Sequence, residues 1–214
     1  MSDDSTPCFA HLLIDGQLVD PDTHRDVARF RRAERARLMA LRRALSPGEL
    51  AAQSSKVAAA LGTLITPQPN LTIAAYWPIR GELDLRGWMK MAHDQGALLA
   101  LPVVVKKDAP VEFHRWHPGC AMTRGIWDIP VPQAAKPVTP DIVICPLLGI
   151  DSTGYRLGNG GGYYDRTLAA QTRMPRVVSI GHDFCPIDTI FPMPWDVPMQ
   201  VSVLGNGTIT HHDS

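Results

Sequence analysis

Four glycines in five positions, Gly158-Asn159-Gly160-Gly161-Gly162, stand between an apolar run at residues 142–148 and a segment at 163–170 that can continue as a helix. The apolar run reads as a buried strand. Glycine lets the backbone take positive φ and approach another group closely. A glycine turn that feeds a helix presents free N–H groups at the positive end of the helix dipole. That arrangement suits phosphate. Taken alone it suits an unliganded strand-to-helix turn equally well.

The remaining chain supplies the frame. Residues 25–45 read as a helix whose Leu38, Leu41 and Leu45 give the spacing of a buried stripe. Its polar side carries Arg31, Arg32, Arg35, Arg37, Arg42 and Arg43. Arg31 and Arg35 lie one turn apart, so both guanidinium groups can reach one point. The alternative is a solvated basic face. Ser46-Pro47-Gly48-Glu49 has the form of a helix start, with a Ser cap, Pro at the first position and Glu at the third. Leu50, Val57, Leu61 and Leu64 follow as its buried stripe, so the two helices are expected to form a hairpin.

Residues 72–77 are a short strand stopped by Pro78, with Ile79-Arg80-Gly81-Glu82 as a turn at its end. Leu85, Trp88, Met89 and Ala92 fit one helix face, and Gly96 fits the position just past its end. Residues 98–105 and 176–181 read as strands, and 111–116 alternates as an antiparallel strand does. Residues 118–140 and 192–207 are rich in turn residues and read as irregular, apart from a short apolar run at 201–203. His211-His212 reads as incidental. The expected organisation is an N-terminal extension over 1–28 with a hairpin turn at Asp15-Gly16, a single α/β domain over 29–205, and a tail over 206–214. Strands alternating with helices predict a mostly parallel sheet flanked by helices, with the ligand beyond the C-terminal strand ends. The glycine loop and residues 77–82 both follow strands, so they are expected to converge there.

Charge and cysteine content narrow the function classes. Lys plus Arg and Asp plus Glu are 21 each, so no global basic field attracts nucleic acid. Any anion site must be local. Cys8, Cys120, Cys145 and Cys185 lie far apart without metal-ligand spacing, and Cys145 sits in an apolar run as a core thiol. A reducing, cytoplasmic setting is expected, with no membrane span. The loop lacks the Lys-Ser/Thr ending of a Walker motif, and Tyr163 breaks the dinucleotide fingerprint. Asp165 either stabilises the following helix through its dipole or holds a metal beside phosphates. Tyr163 and Tyr164 are either core aromatics or a stacking surface. Glu82 is either a solvated turn residue or a carboxylate that takes hydrogen bonds from a substrate.

The run Leu147-Leu148-Gly149-Ile150-Asp151-x-x-Gly154-x-Arg156-Leu157-Gly158-x-Gly160-Gly161-Gly162-Tyr163-Tyr164-Asp165-Arg166 closely resembles the signature of the 5-formyltetrahydrofolate cyclo-ligase (5,10-methenyltetrahydrofolate synthetase) family. The resemblance extends to Arg31 and Arg35, to Tyr76-Trp77-Pro78-x-x-Gly81-Glu82, to Leu101-Pro102, to Gly125-x-x-x-Ile129-Pro130-x-Pro132 and to Asp196-Val197-Pro198. The segments run in consistent order over roughly residues 29–200.

The resemblance implies a NagB/RpiA/CoA-transferase-like fold and a need for ATP and Mg²⁺. It implies that ATP is held by Arg31, Arg35, Arg156, Leu157, Gly158, Asn159, Gly160, Gly161, Gly162, Tyr163 and Tyr164. Trp77, Glu82, Trp127 and Tyr164 match folate-contacting positions. Asp165 and Asp196 match positions that hold Mg²⁺. Arg156 and Glu82 are the expected catalytic pair. The expected partner is a small reduced folate, acted on by a monomer, with no nucleic acid or membrane. Some members carry basic residues where this chain has Asn159 and Gly161, so the cationic work is expected to fall on Arg31, Arg35, Arg156, Arg166 and the metal. Trp195, Gln200 and residues 201–204 also depart from the family pattern. A non-catalytic folate- or nucleotide-binding homologue is the alternative.

Overall fold

The structure, a computed structural model, describes residues 12–14 and 17–212. Strand β1 (Leu12–Ile14) pairs antiparallel with β2 (Gln17–Val19). The expected Asp15-Gly16 turn and Cys8 lie outside the described residues.

Helix α1 (Pro21–Ala44) begins earlier than the leucine spacing suggests. Asp20 caps it by accepting from Thr23 N at 2.7 Å, and Pro21 fills the first position. The helix runs unbroken through position 28. Its buried residues are Leu38 and Arg42, whereas Leu41 is 40% exposed. The inward stripe is therefore Arg31, Arg35, Leu38 and Arg42, which share the three-and-four spacing of one helix face. Of the expected leucine stripe only Leu38 is buried, in a small cluster with Leu148, Leu157, Ile190, Tyr155, Phe184 and Ile187, while the rest of the inward face meets carbonyls and a carboxylate through Arg31, Arg35 and Arg42.

Helix α2 (Pro47–Leu64) opens on the expected capping box: Glu49 N donates to Ser46 Oγ and Ser46 N donates to the Glu49 carboxylate. Val57 and Leu61 are fully buried and pack in the main core together with Val201 and Val203, away from Leu38 of α1. Then follow β3 (Thr72–Ala74), α3 (Arg86–Asp94), β4 (Leu98–Val103) and β5 (Glu112–Trp116). Trp88, Met89 and Ala92 of α3 are buried, and Gly96 takes φ +97° just past its end, as the sequence predicts.

The proline-rich stretch is not irregular throughout. It holds a hairpin of β6 (Met122–Arg124) and β7 (Pro130–Pro132). Strand β8 (Ile142–Pro146) precedes a small hairpin of β9 (Gly149–Ile150) and β10 (Arg156–Leu157). Helix α4 (Tyr163–Ala169), β11 (Arg176–Gly181), β12 (Val201–Leu204) and β13 (Ile209–His211) complete the chain.

The main sheet has seven strands in the order β13-β12-β11-β8-β3-β4-β5. The five inner strands are parallel, and β5 and β13 close the two edges antiparallel. Alternation along β8 sends Ile142 and Ile144 to one core layer and Val143 and Cys145 to the other. The chain is thus α/β, with a mostly parallel sheet and four helices among the described residues. Neighbours β3 and β8 send their connections in opposite directions, β3 toward β4 and β8 toward β11. The crevice beyond their C-terminal ends is where such sheets bind ligands.

Candidate active site

Three segments meet at that crevice. The first follows β3. Residues 79–82 form a tight turn in which Glu82 N donates to Ile79 O at 3.0 Å. Its central residues Arg80 and Gly81 have φ +50° and +78°, the pattern of a type I′ turn. Arg80 there is strained by about 1–3 kcal/mol. The turn folds the Glu82 carboxylate back onto its own backbone, where it accepts from Ile79 N at 3.1 Å. Glu82 is 6% exposed. Its other oxygen accepts from Asn159 Nδ2 at 3.3 Å and lies 3.9 Å from Arg42 Nη1. Burial raises its pKa above the ordinary glutamate value, against the opposing pull of the Ile79 N–H and Arg42.

The second segment follows β8. Pairing of β9 with β10 fixes Arg156, and Asp151 braces the hairpin by accepting from Thr153 N and Tyr155 N at 3.0 Å each. Arg156 donates to Asp165 at 2.9 Å and lies over the Tyr164 ring at 5.2 Å from its centroid. The glycine loop follows directly. Gly160 has φ +102° and Gly162 +63°, a conformation that side chains oppose. No acceptor among the described residues takes the backbone N–H groups of Asn159, Gly160, Gly161 or Gly162. Helix α4 ends at Ala169 and has seven residues, so the loop amides matter more here than a long helix dipole.

The third segment is the inner stripe of α1. Arg35 Nε donates to Gly158 O at 2.8 Å. Arg31 does not reach the same point. It forms a two-pronged ion pair with Asp196 and donates to the Ile190 and Phe191 carbonyls at 2.9 and 2.8 Å. Arg42 donates to Leu147 O at 2.8 Å from beneath the crevice.

Of the two expected tryptophans, Trp127 meets the site through Tyr163 and Trp77 precedes the Glu82 turn in the chain. Trp77 lies half-buried under the Arg86 guanidinium, 5.2 Å from its ring centroid. Trp127 is 54% exposed at the tip of the β6–β7 hairpin, edge-on to Tyr163 at 5.3 Å between centroids. Trp127 and Asp128 both take positive φ, which holds the ring out of the domain. Arg166 lies over the Tyr163 ring, 5.1 Å from its centroid, and donates to Gly161 O. No activated thiol is present here: Cys145 is buried behind Arg156, and burial pushes its pKa up to about 11.

The decisive feature is unmet donors. Among the described residues, six side chains bury a polar atom without a hydrogen-bond partner. Three of them surround this crevice, Arg156 and Arg166 through Nε and Tyr164 through its hydroxyl, while Arg42, orphaned at Nε and Nη1, lies beneath it. Burial raises the Tyr164 pKa well above its ordinary value, so the phenol stays protonated as a donor. Buried donors without acceptors are costly. Their concentration here marks a site for an anionic, acceptor-rich ligand. A hollow of about 550 Å³ lined by Arg115, His117 and Lys136 has no such orphaned donors.

Comparison with known proteins gives the same direction. A model of the 5-formyltetrahydrofolate cyclo-ligase family matches residues 27–204. The chain belongs to that family. The 5-formyltetrahydrofolate cyclo-ligase of Escherichia coli K12 is 30% identical over 169 residues, covering 76% of this chain and 93% of that protein. The structure of Aquifex aeolicus 5,10-methenyltetrahydrofolate synthetase superposes with a TM-score of 0.72 at 27% identity, covering 86% of this chain and 93% of that one. A Mycoplasma pneumoniae 5,10-methenyltetrahydrofolate synthetase gives 0.67 at 27% identity, over 83% of this chain and 99% of that one.

In this cyclo-ligase-family chain the two expected metal ligands are both ion-paired. Asp196 accepts from both Arg31 nitrogens and from Met193 N, and Asp165 accepts from Arg156 and Val197 N. Cationic partners already neutralise both carboxylates. Among the described residues no group of three or more His, Cys, Asp or Glu gathers as a metal cluster. No helix among them is long and apolar enough to cross a membrane.

Sequence reasoning placed Arg35, Arg156, residues 157–165, Trp77, Trp127 and Glu82 in one region, and the structure joins them by direct contacts except for Trp77, which meets Arg86 and the core. It missed Arg42, assigned to a solvated face though it is 4% exposed. The signal was available in its position on the Arg31–Arg35–Leu38 stripe. It also missed His182 and Gln53, which no local pattern marks.

Proposed function

We propose that this chain is an ATP-dependent 5-formyltetrahydrofolate cyclo-ligase, which forms 5,10-methenyltetrahydrofolate with release of ADP and phosphate. The observation that carries the reading is the ring of orphaned donors around free loop amides, in a chain of this family. The N5-formyl oxygen is a poor leaving group. Transfer of the γ-phosphoryl group of ATP to that oxygen makes it a good one. N10 then attacks the formyl carbon and loses its proton, and phosphate departs to leave the methenyl bridge. This chemistry depends on positioning and charge neutralisation more than on a protein nucleophile. The amides of residues 159–162, Arg35 and Arg156 would cradle the phosphates. Arg31 orders Asp196 and the 190–191 carbonyls behind them. Glu82, Trp77, Trp127 and Tyr164 would hold the folate.

Magnesium enters this reading with the nucleotide, neutralising its phosphates, and no residue of the chain is assigned as its ligand. The reading carries a single domain of NagB/RpiA/CoA-transferase-like type that takes in all of α1 from Pro21 and the edge strand β13 to His211, beyond the expected 29–205 bounds, with α1 and α2 as an N-terminal helical hairpin, working as a cytoplasmic monomer. The names of the relatives and structural neighbours do not favour a non-catalytic binder.

The test is to mix purified protein with 5-formyltetrahydrofolate, ATP and Mg²⁺ and to follow the near-UV absorbance of the methenyl product. Well-folded protein that gives no ATP-dependent rise refutes the reading. Arg35→Ala should weaken ATP by on the order of tenfold or more, the worth of a charge-assisted hydrogen bond, and folate far less. Equal losses for both substrates count against a phosphate role.

A further inference from the structure

The turn that carries Glu82 is clamped from two sides by residues that the mechanism above does not use. His182 is 1% exposed, and its Nε2 donates to Gly81 O at 2.9 Å. Its Nδ1 faces Gln53 Oε1 at 3.1 Å. Gln53 is itself held by Asp183, whose backbone N–H donates to Oε1 at 3.3 Å and whose carboxylate accepts from Nε2 at 3.1 Å. The ring is also stacked on Phe184, 5.1 Å between centroids. On the other side, a Cβ on Gly81 would lie 3.2 Å from Arg42 Cγ, so the Arg42 stem packs directly beneath the turn. The Arg42 guanidinium then reaches to 3.9 Å from Glu82 Oε1.

We propose that Arg42 and His182 are positioning residues for Glu82, and that through it they set turnover of the folate end of the reaction without touching either substrate. The proposal rests on the functional reading above, in which Glu82 meets the folate.

The physical need is clear. Arg80 and Gly81 hold a backbone conformation that a free chain would leave, and strained turns persist only where their surroundings hold them. The turn has one internal backbone hydrogen bond, from Glu82 N to Ile79 O. The His182 bond to Gly81 O fixes the orientation of the Gly81–Glu82 peptide, and with it the direction in which the Glu82 side chain leaves. The stem of Arg42 fills the space into which the turn would otherwise collapse. Its charge compensates the buried carboxylate from a distance longer than a direct hydrogen bond.

A double-mutant cycle on the full chain tests this. Turnover is measured for wild type, His182→Leu, His182→Gln, Arg42→Met, Glu82→Gln and the pair His182→Leu with Glu82→Gln. His182→Leu should lower kcat/KM for 5-formyltetrahydrofolate by about tenfold and leave the KM for ATP unchanged. His182→Gln, which keeps a donor near Nε2, should recover to within about threefold of wild type. The double variant should be no worse than Glu82→Gln alone, because residues that act through one group do not lose activity additively. Arg42→Met should show the same KM split if it folds, and the His182 arm decides the matter if it does not. Losses that multiply in the double variant, or a KM for ATP that rises with that for folate, overturn the proposal. A wild-type chain without turnover, or a Glu82→Gln chain that matches wild type, overturns the functional reading instead, and this proposal with it.

Discussion

Glu82→Gln is expected to lower kcat/KM for 5-formyltetrahydrofolate by on the order of 100-fold while leaving the KM for ATP within about twofold. Both carboxylate oxygens are already anchored, one by Ile79 N and the other by Asn159. Lone pairs remain for N–H groups of a substrate, and hydrogen bonds to a charged acceptor are worth about 1.5–3 kcal/mol each. Glutamine keeps the size, loses the charge, and turns one of those acceptors into a donor. The effect should depend on pH in a defined way. Burial raises the Glu82 pKa, and the fraction ionised falls at a pH above the ordinary glutamate range. The acid limb of kcat/KM should therefore appear above that range and should be absent in Glu82→Gln. The stability term has the opposite sense. With a folded-state pKa above the unfolded one, the native state holds more protons between the two values, so this group's contribution is full below the unfolded pKa and is lost as pH rises through the folded pKa. An acid limb that persists unchanged in Glu82→Gln would assign it to another group.

Arg156→Leu should abolish measurable turnover and also lower the melting midpoint by roughly 10 °C. The Arg156 side chain is 4% exposed and Asp165 is 16% exposed, so the pair sits largely out of water. Removing one member of such a pair strands the other charge and costs about 3–5 kcal/mol. In a domain of this size each kcal/mol is worth about 2–4 °C. The substitution also removes a cation from the side of the loop where phosphate would bind. The two effects can be separated. Arg156→Leu combined with Asp165→Asn should regain most of the thermal stability, since no unpaired charge remains, but none of the activity. Recovery of turnover in that double variant would show that Arg156 acts only as a structural partner of Asp165.

Much of the site was legible because its parts are local. The glycine loop needs a particular backbone within five residues, and Arg156, Tyr164 and Asp165 lie beside it in the chain. The turn at 79–82 was visible as a stop after a strand, and the capping box of α2 was written in four consecutive residues. Some readings failed for the same reason in reverse. The hairpin at β6–β7 was hidden in a proline-rich stretch because its pairing partner, not its composition, makes it a strand. Leu41 fits a periodic apolar pattern equally well on paper, but its side of α1 meets no core. Arg42 looked like one more solvated cation because its acceptor, Leu147 O, is 105 residues away.

The sequence alone determined the alternation of strands and helices, the glycine loop, and the proximity of both to the C-terminal sheet edge. These follow from side-chain periodicity and from conformations open chiefly to glycine, which act over one or two turns of chain. Only the tertiary structure decided which charges are free to meet a ligand. It pairs Arg31 with Asp196 and Arg156 with Asp165, so each of these carboxylates has a cation beside it. It also turns Arg42 inward and sets His182 behind the Glu82 turn. Ion pairs and orphaned donors arise when distant segments leave water together. Whether a given charge finds its partner there depends on packing that no local spacing encodes.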